Sequence, residues 1–204
     1  MQTQIVPAGV HTVQWTYAKD DSVSSGLDTA WLDQVAFAPA PPLITGQPQG
    51  GTVWMGGTFV LSVNAAGTPP LAFQWTKDGT AVGSDSSTFT VSNSTRRDSG
   101  VYAVVASNAG GATTSSNAYV RVLVAQKLSG SAWFENGTLT LLSGDADGGT
   151  LSPIDLGGFE LQASTNLLEW TTVPEQLGLT NGLLLLRDSQ ASDFRNRFYR
   201  IIER

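Results

Sequence analysis

Short runs in which large apolar residues alternate with polar ones restrict the fold of this 204-residue chain more than any other feature. Val13, Trp15 and Tyr17 form one such run, and the apolar positions of residues 59–63 form another. Because successive side chains of a strand point to opposite faces, these runs predict strands with one apolar face. Clusters of Gly, Ser, Asn and Pro separate the runs, and glycine alone accounts for 22 residues. Such breaks are typical of turns, so the sequence predicts an all-β protein.

The charge balance is acidic, with 17 Asp and Glu residues against 11 Lys and Arg residues and a net charge of -6. A phosphate backbone would find no broad positive surface here, so the composition argues against a nucleic-acid partner. Residues 187–204 differ, because five arginines face three acids there and give a local charge of +2. We interpret this basic end as a solvated strand edge that charge protects from unwanted pairing.

The sequence has no apolar stretch of about 18 residues, the length that a membrane-spanning helix needs, so we expect no membrane insertion. Residues 1–5 have neither the basic start nor the long apolar stretch of a signal peptide. We therefore expect the chain to be a piece of a longer exported protein whose leader lies elsewhere. The absence of cysteine leaves the compartment open, because exported bacterial proteins also fold without disulfides.

The N-terminal segment, residues 1–38, contains two strand-like runs, HTVQWTYAK and AWLDQVAF, joined by the loop DDSVSSGLDT. This pattern resembles the last strands of a bacterial lectin-like jelly roll. The matching residues are Trp15, Tyr17, Lys19, Asp20, Trp31, Leu32, Asp33, Val35 and Phe37. The resemblance implies a β-hairpin remnant, and two strands alone cannot bury a core. We therefore predict that the strand of residues 11–19 pairs with the middle of the chain or with a second molecule, as a homodimer.

The middle segment, residues 43–124, follows a Pro-rich joint, PAPPL, that favours neither helix nor strand and predicts a module boundary. Its characteristic runs are FQWTKDG, STFTVSNST, DSGVYAVVASNAG and AYVRVLV. In order and spacing they resemble the I-set immunoglobulin family, in a cysteine-free form of bacterial type. That resemblance implies a β-sandwich in which Trp75 is the core tryptophan and Tyr102 makes a corner hydrogen bond.

The same resemblance places Val63 and Val104 at the two positions that a disulfide normally links. A bridge over a loop of this length contributes about 4 kcal/mol in the chain-entropy model. Two buried valines return roughly 1.5 to 3 kcal/mol each by burial. Apolar packing can therefore replace the bridge, and folding becomes independent of the redox state of the compartment.

The C-terminal segment, residues 128–204, is predicted to form a second, small β-sandwich. Its strand candidates are residues 138–142, 159–164, 169–173, 182–187 and 197–202. Asn-Gly pairs at residues 136–137 and 181–182 precede apolar runs and predict tight hairpin turns, because both residue types tolerate a positive φ. The runs LQASTNLLEW and RFYR resemble a C-terminal β module of large exported proteins of environmental bacteria.

Nucleophilic catalysis by a Ser-His-Asp site would have to use His11, because it is the only histidine and the chain has no cysteine. The loop that follows offers Asp20, Ser22 and Asp28 as neighbours, but no G-x-S-x-G elbow occurs. We interpret His11 as a surface residue at the start of a strand. The alternative interpretation makes it the base of a hydrolase that acts on an ester, a lactone or a glycan.

A calcium site is predicted in the run SGDADGGTLSPID, where Asp145 and Asp147 stand two apart before a glycine and Asp155 offers a third oxygen donor. The run lacks the closing glutamate of an EF-hand, and the alternative is a plain Asp/Gly turn between strands. The loop of residues 20–28 is a second, weaker match of the same kind. Structural zinc is excluded, because zinc prefers His and Cys ligands.

Three tryptophans are candidates for stacking against sugar rings, since an exposed indole covers apolar ring faces. They are Trp54, Trp133 and Trp170, and the strand pattern around Trp170 predicts burial in a core instead. Trp54 lies in the Gly-rich run GGTVWMGGT and is the preferred ligand-binding residue. Its alternative role is to fill the interface between modules.

The leading functional hypothesis is a non-catalytic adhesion or binding part of a larger bacterial protein, secreted or at the cell surface, with a polysaccharide or a cell-surface protein as partner. One alternative is a hydrolase with His11 or a calcium-bound water as base. The other is a purely structural stalk. The fold alone does not decide among them, because the same sandwich serves all three roles.

Overall fold

The structure, a computed structural model, describes residues 11–16, 38–128 and 132–204. The predicted N-terminal hairpin therefore lies almost entirely outside the described residues. Residues 11–16 form no strand and all six are exposed, so the described part of the predicted strand 11–19 is not paired in a single chain. In the described part of the chain, no helix is long and apolar enough to cross a membrane.

Two compact units make up the chain. The first contains Met1–Pro48, Ser62–Phe89 and Ala103–Asn117. The second contains Gln49–Leu61, Thr90–Tyr102 and Ala118–Arg204. The middle segment contributes to both, and the whole C-terminal segment belongs to the second.

The middle segment is built from ten strands joined by short turns. They are β1 (Leu43–Gly46), β2 (Gly51–Trp54), β3 (Phe59–Ser62), β4 (Asn64–Ala66), β5 (Ala72–Lys77), β6 (Thr80–Val82), β7 (Thr88–Val91), β8 (Gly100–Asn108), β9 (Gly111–Thr114) and β10 (Ala118–Leu123). The larger sheet has the order β2-β10-β8-β5-β6, with β9 also paired to β8. Strands β1 and β4 form one two-stranded sheet, and β3 and β7 form another. Strand β2 runs parallel to β10, whereas β8 runs antiparallel to it.

The residues at the predicted disulfide positions are both in the core. Val63 is 3% exposed, and Val104 and Trp75 are fully buried. The Trp75 indole Nε1 donates a hydrogen bond to the Ser86 carbonyl at 2.9 Å, so its one polar atom is satisfied inside the core. The prediction that apolar side chains occupy these positions as core residues is confirmed.

The corner hydrogen bond predicted for Tyr102 is also present. Its phenolic oxygen donates to the Asp98 carbonyl at 2.7 Å, while the ring lies edge-on to Phe59 with the centroids 5.7 Å apart. Asp98 belongs to a short 3₁₀ helix, Arg96–Asp98, and its carboxylate accepts hydrogen bonds from the Thr95 backbone and hydroxyl. This capping box fixes the turn that enters β8.

The Pro-rich joint is bound to the first unit by several hydrogen bonds. The Ala40 amide donates to the Thr68 hydroxyl at 2.9 Å, and the Asn108 side chain donates to the Ala40 carbonyl at 2.7 Å. A Cβ added at Gly110 would lie 2.3 Å from the Pro39 carbonyl oxygen, so only glycine permits this close approach.

Among the described residues from 126 to 204, eight strands form two sheets. They are β11 (Gln126–Leu128), β12 (Trp133–Glu135), β13 (Thr138–Asp145), β14 (Phe159–Ser164), β15 (Thr171–Thr172), β16 (Gly178–Thr180), β17 (Leu183–Asp188) and β18 (Phe198–Glu203). One sheet has the order β11-β13-β17-β16, with β12 also paired to β13, and the other has the order β15-β14-β18. A single apolar cluster includes Leu141, Phe159, Leu161, Leu184 and Leu186.

Both predicted Asn-Gly turns are two-residue hairpins. Asn136 and Gly137 have φ angles of 50° and 81°, and they connect the paired residues Glu135 and Thr138. The pair at residues 181–182 has the same geometry, with φ angles of 50° and 76°. Two consecutive positive φ angles define the turn type whose twist suits a hairpin, which explains why Asn and Gly stand there.

Candidate binding groove

An open groove of about 700 Å³ lies in the second compact unit. Its walls include strands from both sheets of the C-terminal segment, and Trp54 of β2 contributes to its lining. The apolar lining includes Trp54, Leu128, Leu141, Leu161, Leu186 and Ile201. We call this site the Trp54 groove.

The floor of the Trp54 groove is continuous with the apolar core. Leu141, Leu161 and Leu186 belong to the core cluster and also line the groove. They come from β13, β14 and β17, so both sheets contribute. A ligand in the groove would therefore contact core side chains and not only the protein surface.

Trp54 is 65% exposed, as the Gly-rich sequence around it favours. The chain turns back immediately after it, because the Gly57 amide donates to the Trp54 carbonyl at 2.9 Å and Gly56 adopts a φ of 79°. Most of the indole surface is consequently available to a ligand. The expectation that Trp54 is exposed is met, and its role as a binding residue stays a prediction.

The other tryptophans differ in exposure. Trp133 is 43% exposed in β12 and does not line the groove. Trp170 is half-buried, and the Arg200 guanidinium lies over its ring at 4.4 Å from the centroid. One face of Trp170 is therefore already covered by a cation.

Asp188 is a buried carboxylate near the groove and already has partners. Arg197 Nε lies 2.6 Å from Asp188 Oδ2, an ion pair that does not meet hydrogen-bond geometry, and the Tyr199 hydroxyl donates to the same oxygen at 2.9 Å. Burial, followed by this hydrogen bond, raises the pKa of Tyr199 above its ordinary value. The phenol is thus a proton donor to Asp188 over the whole physiological pH range.

Glu203 is the second buried carboxylate at the groove, and it belongs to a cluster that we call the Arg96 network: Arg96, Asp145 and Glu203. Arg96 Nη1 and Nη2 donate to the two oxygens of Glu203 at 2.6 and 2.9 Å. Arg96 also donates to both oxygens of Asp145, through Nε and, at 2.9 Å, through Nη2. One guanidinium therefore makes two bidentate contacts, the strongest geometry for an arginine and a carboxylate.

Further donors complete the Arg96 network. The Val124 amide donates to Glu203 at 3.1 Å, and the Gln126 side chain donates to Asp145 at 2.6 Å. Burial alone would lower the pKa of Arg96, but its hydrogen bonds with Glu203 and Asp145 outweigh that effect and raise the pKa. The guanidinium remains charged, so both carboxylates have a cationic partner inside the protein.

Sequence reasoning missed the Arg96 network and misjudged part of the basic end. Residues 187–204 were expected to be a solvated strand edge, which holds for Arg195 and Arg200. The expectation of a solvated edge is wrong for the side chains of Arg197 and Glu203, which are 11% and 6% exposed. Each is buried beside an oppositely charged partner. No local pattern marks the pair of Arg96 and Glu203, since the two residues stand 107 residues apart.

The three aspartates predicted to bind calcium have different neighbours. Asp145 is held by Arg96, as described above. Asp147 is exposed and accepts a hydrogen bond from the Gly149 amide at 2.9 Å, and a Cβ added at Gly149 would lie within 3.3 Å of both carboxylates. Asp155 caps the 3₁₀ helix Pro153–Gly158 through Ser152.

Among the described residues, no group of three or more His, Asp or Glu side chains is arranged to hold a metal ion. Calcium binding by Asp145 would have to compete with the Arg96 guanidinium for the same oxygens. Calcium binding by this loop stays a prediction. The second acidic loop, residues 20–28, lies outside the described residues.

His11 is exposed, as expected for a surface histidine. The serines and aspartates of the loop that follows it lie outside the described residues. A catalytic role for His11 therefore stays a prediction.

Residues 41–108 match the family model of the immunoglobulin domain. The chain contains an immunoglobulin-like domain. Its burial of Trp75 and its tyrosine corner agree with that match. A search of curated proteins finds no match to the sequence.

Solved structures of immunoglobulin domains are similar to part of the chain. The tandem Ig repeats of Dlar are 28% identical, with a TM-score of 0.39, over 42% of this chain and 50% of that one. The N-terminal Ig1-2 module of the Drosophila receptor protein tyrosine phosphatase DLAR is 28% identical, with a TM-score of 0.40, over 43% and 48%. The chain thus spans about half the length of these two structures. The titin M10 complex with obscurin-like 1 gives 26% identity, a TM-score of 0.39, and coverage of 42% and 95%.

Proposed function

We propose that this chain is a non-catalytic adhesion and binding part of a larger exported bacterial protein, secreted or at the cell surface, and that the Trp54 groove is its recognition site. The observation that carries the proposal is an exposed indole at a groove whose floor is apolar. Recognition sites commonly combine an apolar floor with a few polar groups that orient the ligand. A polysaccharide is the ligand class that we favour.

The exposed face of Trp54 supports a carbohydrate ligand, because the C–H face of a pyranose ring packs on an indole. Hydroxyl groups of the same sugar need hydrogen-bond partners at the rim. The lining residue Gln126 supplies a half-buried polar side chain there. It already makes hydrogen bonds with Asp145 and Ser143, so it is held in a defined position.

The paired state of the carboxylates supports binding rather than hydrolysis. A glycosidase needs two carboxyl groups that exchange protons with the substrate or attack it. Asp188 is bound to Arg197 and Tyr199, and Glu203 is held by both Nη atoms of Arg96. A carboxylate whose oxygens are held by a guanidinium is poorly placed to attack a substrate, because those oxygens already contact the cation.

The proposal is tested by incubating the pure protein with insoluble polysaccharides, first with calcium and then with a chelator. Both retained protein and released sugar are measured. We compare Trp54→Ala with Trp133→Ala, because both indoles are exposed but only Trp54 lines the groove. Retention that Trp54→Ala abolishes and Trp133→Ala preserves would support the proposal.

Other outcomes of this assay are informative. Released sugar that disappears in His11→Ala or with the chelator would favour the hydrolase alternative. Retention that depends equally on both tryptophans would contradict the groove as the site. If no polysaccharide retains the protein but the protein specifically captures a cell-surface protein, the binding role would stand and the ligand class would change.

A structural stalk is the second candidate, and the Arg96 network favours it. Arg96 belongs to the immunoglobulin-like domain, whereas Asp145 and Glu203 belong to the C-terminal segment. A buried cation with two bidentate partners restrains the two segments that it links. This candidate predicts no saturable ligand in the polysaccharide assay or among cell-surface proteins.

A further inference from the structure

Strand β18 has a free edge beside the Trp54 groove. It pairs with β14 on one side, and no strand among the described residues pairs with its other side. Just beyond the strand, the Arg204 amide donates to the Gly158 carbonyl at 2.8 Å, so the backbone groups of alternate residues point toward β14. The backbone groups of the residues between them point away from β14, toward the open edge.

The open edge suits the addition of one further strand. Six residues of β18 extend over about 20 Å, and a strand of equal length placed beside them would satisfy their outward backbone groups. Side chains on one face of such a strand would enter the groove above Leu141, Leu161 and Leu186. The three-stranded sheet would become four-stranded.

Residues 11–16 have the pattern that such a strand requires. Val13 and Trp15 alternate with polar residues and are 43% and 54% exposed. The six residues, HTVQWT, form no strand in the single chain, although their pattern predicts one. Their length equals that of β18.

Charge also favours this pairing between two copies. Residues 1–38 contain one lysine and four aspartates, a net charge of -3. Residues 187–204, which include β18, carry +2. Opposite net charges on the two segments favour their encounter, whereas β18 itself, with Arg200 and Glu203, carries no net charge.

We propose that residues 11–16 of a second copy of this chain add to the free edge of β18 as an extra strand and place Val13 and Trp15 in the Trp54 groove. The proposal rests on the proposed binding role of the groove and makes the second copy a competitor of the polysaccharide for it. Reciprocal exchange between two copies would give a closed dimer.

Cysteine cross-linking tests the proposal cleanly, because the chain contains no cysteine of its own. One preparation carries Gln14→Cys, and a second carries one cysteine in β18, as Phe198→Cys, Arg200→Cys or Ile202→Cys. Gln14 lies on the opposite face of its strand from Val13 and Trp15, and directly opposed residues of paired strands have Cβ atoms roughly 4.5 to 5.5 Å apart. The matched control is Tyr119→Cys, which is 69% exposed on β10 and does not line the groove.

We expect a disulfide-linked dimer of twice the 21.5 kDa chain mass when Gln14→Cys is mixed with a β18 variant in oxidised glutathione. The Tyr119→Cys control should give none, and adding Val13→Ser and Trp15→Ser to the Gln14→Cys chain should abolish the dimer. Equal cross-linking to Tyr119→Cys and to every β18 position would overturn the proposal. So would an exclusively intrachain disulfide in Gln14→Cys/Arg200→Cys, because the strand would then belong to the same copy.

Failure of this inference is distinguishable from failure of the proposed function. The chain with Val13→Ser and Trp15→Ser keeps an intact groove and is tested in the polysaccharide assay. Retention that still depends on Trp54, with no cross-link to β18, would preserve the binding role and reject the second copy as occupant. A specific cross-link without polysaccharide retention would establish the dimer and reject the carbohydrate ligand.

Discussion

Arg96 and Asp145 form a buried ion pair although 49 residues separate them in the sequence, with Arg96 Nη2 2.9 Å from Asp145 Oδ1. The pair joins a 3₁₀ helix of the immunoglobulin-like domain to the end of β13. Both groups lie away from water, and Arg96 is the cation that pairs with Asp145 there. Removing Arg96 therefore leaves the Asp145 carboxylate buried without its cationic partner.

Arg96→Ala should therefore lower the free energy of unfolding by about 3 to 5 kcal/mol, because Asp145 and Glu203 would lose the buried cation that binds both of them. Arg97→Ala is the matched control, since Arg97 is the exposed neighbour in the same 3₁₀ helix. Urea unfolding of both variants measures the difference. A loss for Arg96→Ala no larger than that for Arg97→Ala would mean that the network contributes little.

Replacing the whole Arg96 network by apolar residues should cost far less than removing Arg96 alone. Arg96→Met combined with Asp145→Leu and Glu203→Leu leaves no buried unpaired charge, since Arg121, the other partner of Glu203, is 40% exposed. Such exchanges are often neutral. The same urea measurement on the triple variant checks this expectation. If the triple variant were less stable than Arg96→Ala, the hydrogen bonds of the network, and not its charge pairing, would account for its contribution to the free energy of unfolding.

Val63→Cys together with Val104→Cys should form a disulfide in an oxidising buffer, since both residues are buried in the core and the resemblance described above predicts that they are a disulfide pair. The bridge should raise the free energy of unfolding by up to about 4 kcal/mol relative to the reduced form of the same variant. A thiol assay and the melting temperature in the two redox states measure this. Two free thiols after complete oxidation would contradict the predicted placement.

Gly50→Ala should destabilise the protein much more than Gly51→Ala. A Cβ at residue 50 would lie 2.0 Å from the Tyr119 carbonyl oxygen, whereas a Cβ at residue 51 meets nothing within 4 Å. The first change forces two backbone segments apart and should cost about 1 to 3 kcal/mol. Thermal melting of the two variants compares them directly, and equal melting temperatures would refute the expectation.

Tyr199→Phe should make the stability of the protein less sensitive to alkaline pH. The pKa of Tyr199 is raised by burial and by its hydrogen bond to Asp188, so the folded state holds the proton more tightly than the unfolded state does. Its contribution is complete below the ordinary tyrosine pKa of about 10 and is lost as the pH rises above that value. Urea midpoints at about pH 8 and about pH 11 test this, with the exposed residue in Tyr119→Phe as control.

Local patterns predicted most of the strands, because alternation and Asn-Gly turns are encoded by neighbouring residues. The prediction of β14 at residues 159–164 coincides with the observed strand. The strand predicted at residues 169–173 is reduced to Thr171–Thr172. The short strands β11, β12 and β16 were not predicted, since three residues are too few to show a period.

The candidate site was only partly predictable. The exposure of Trp54 followed from its glycine-rich neighbours, which restrict how much packing can surround it. The burial of Arg96 could not be predicted from neighbouring residues, because its partners lie 49 and 107 residues away and only the tertiary fold brings them together. The same reason explains why Asp145 was interpreted as an oxygen donor in a loop.

The Arg96 network also sets an order of events during synthesis. Glu203 follows Arg96 by 107 residues. At about 5 to 20 residues per second, a ribosome makes Arg96 roughly 5 to 20 s before Glu203 exists. Throughout that interval Arg96 lacks the carboxylate of Glu203. The immunoglobulin-like domain can form its apolar core early, but Arg96 cannot be buried in its final network until β18 has been synthesised.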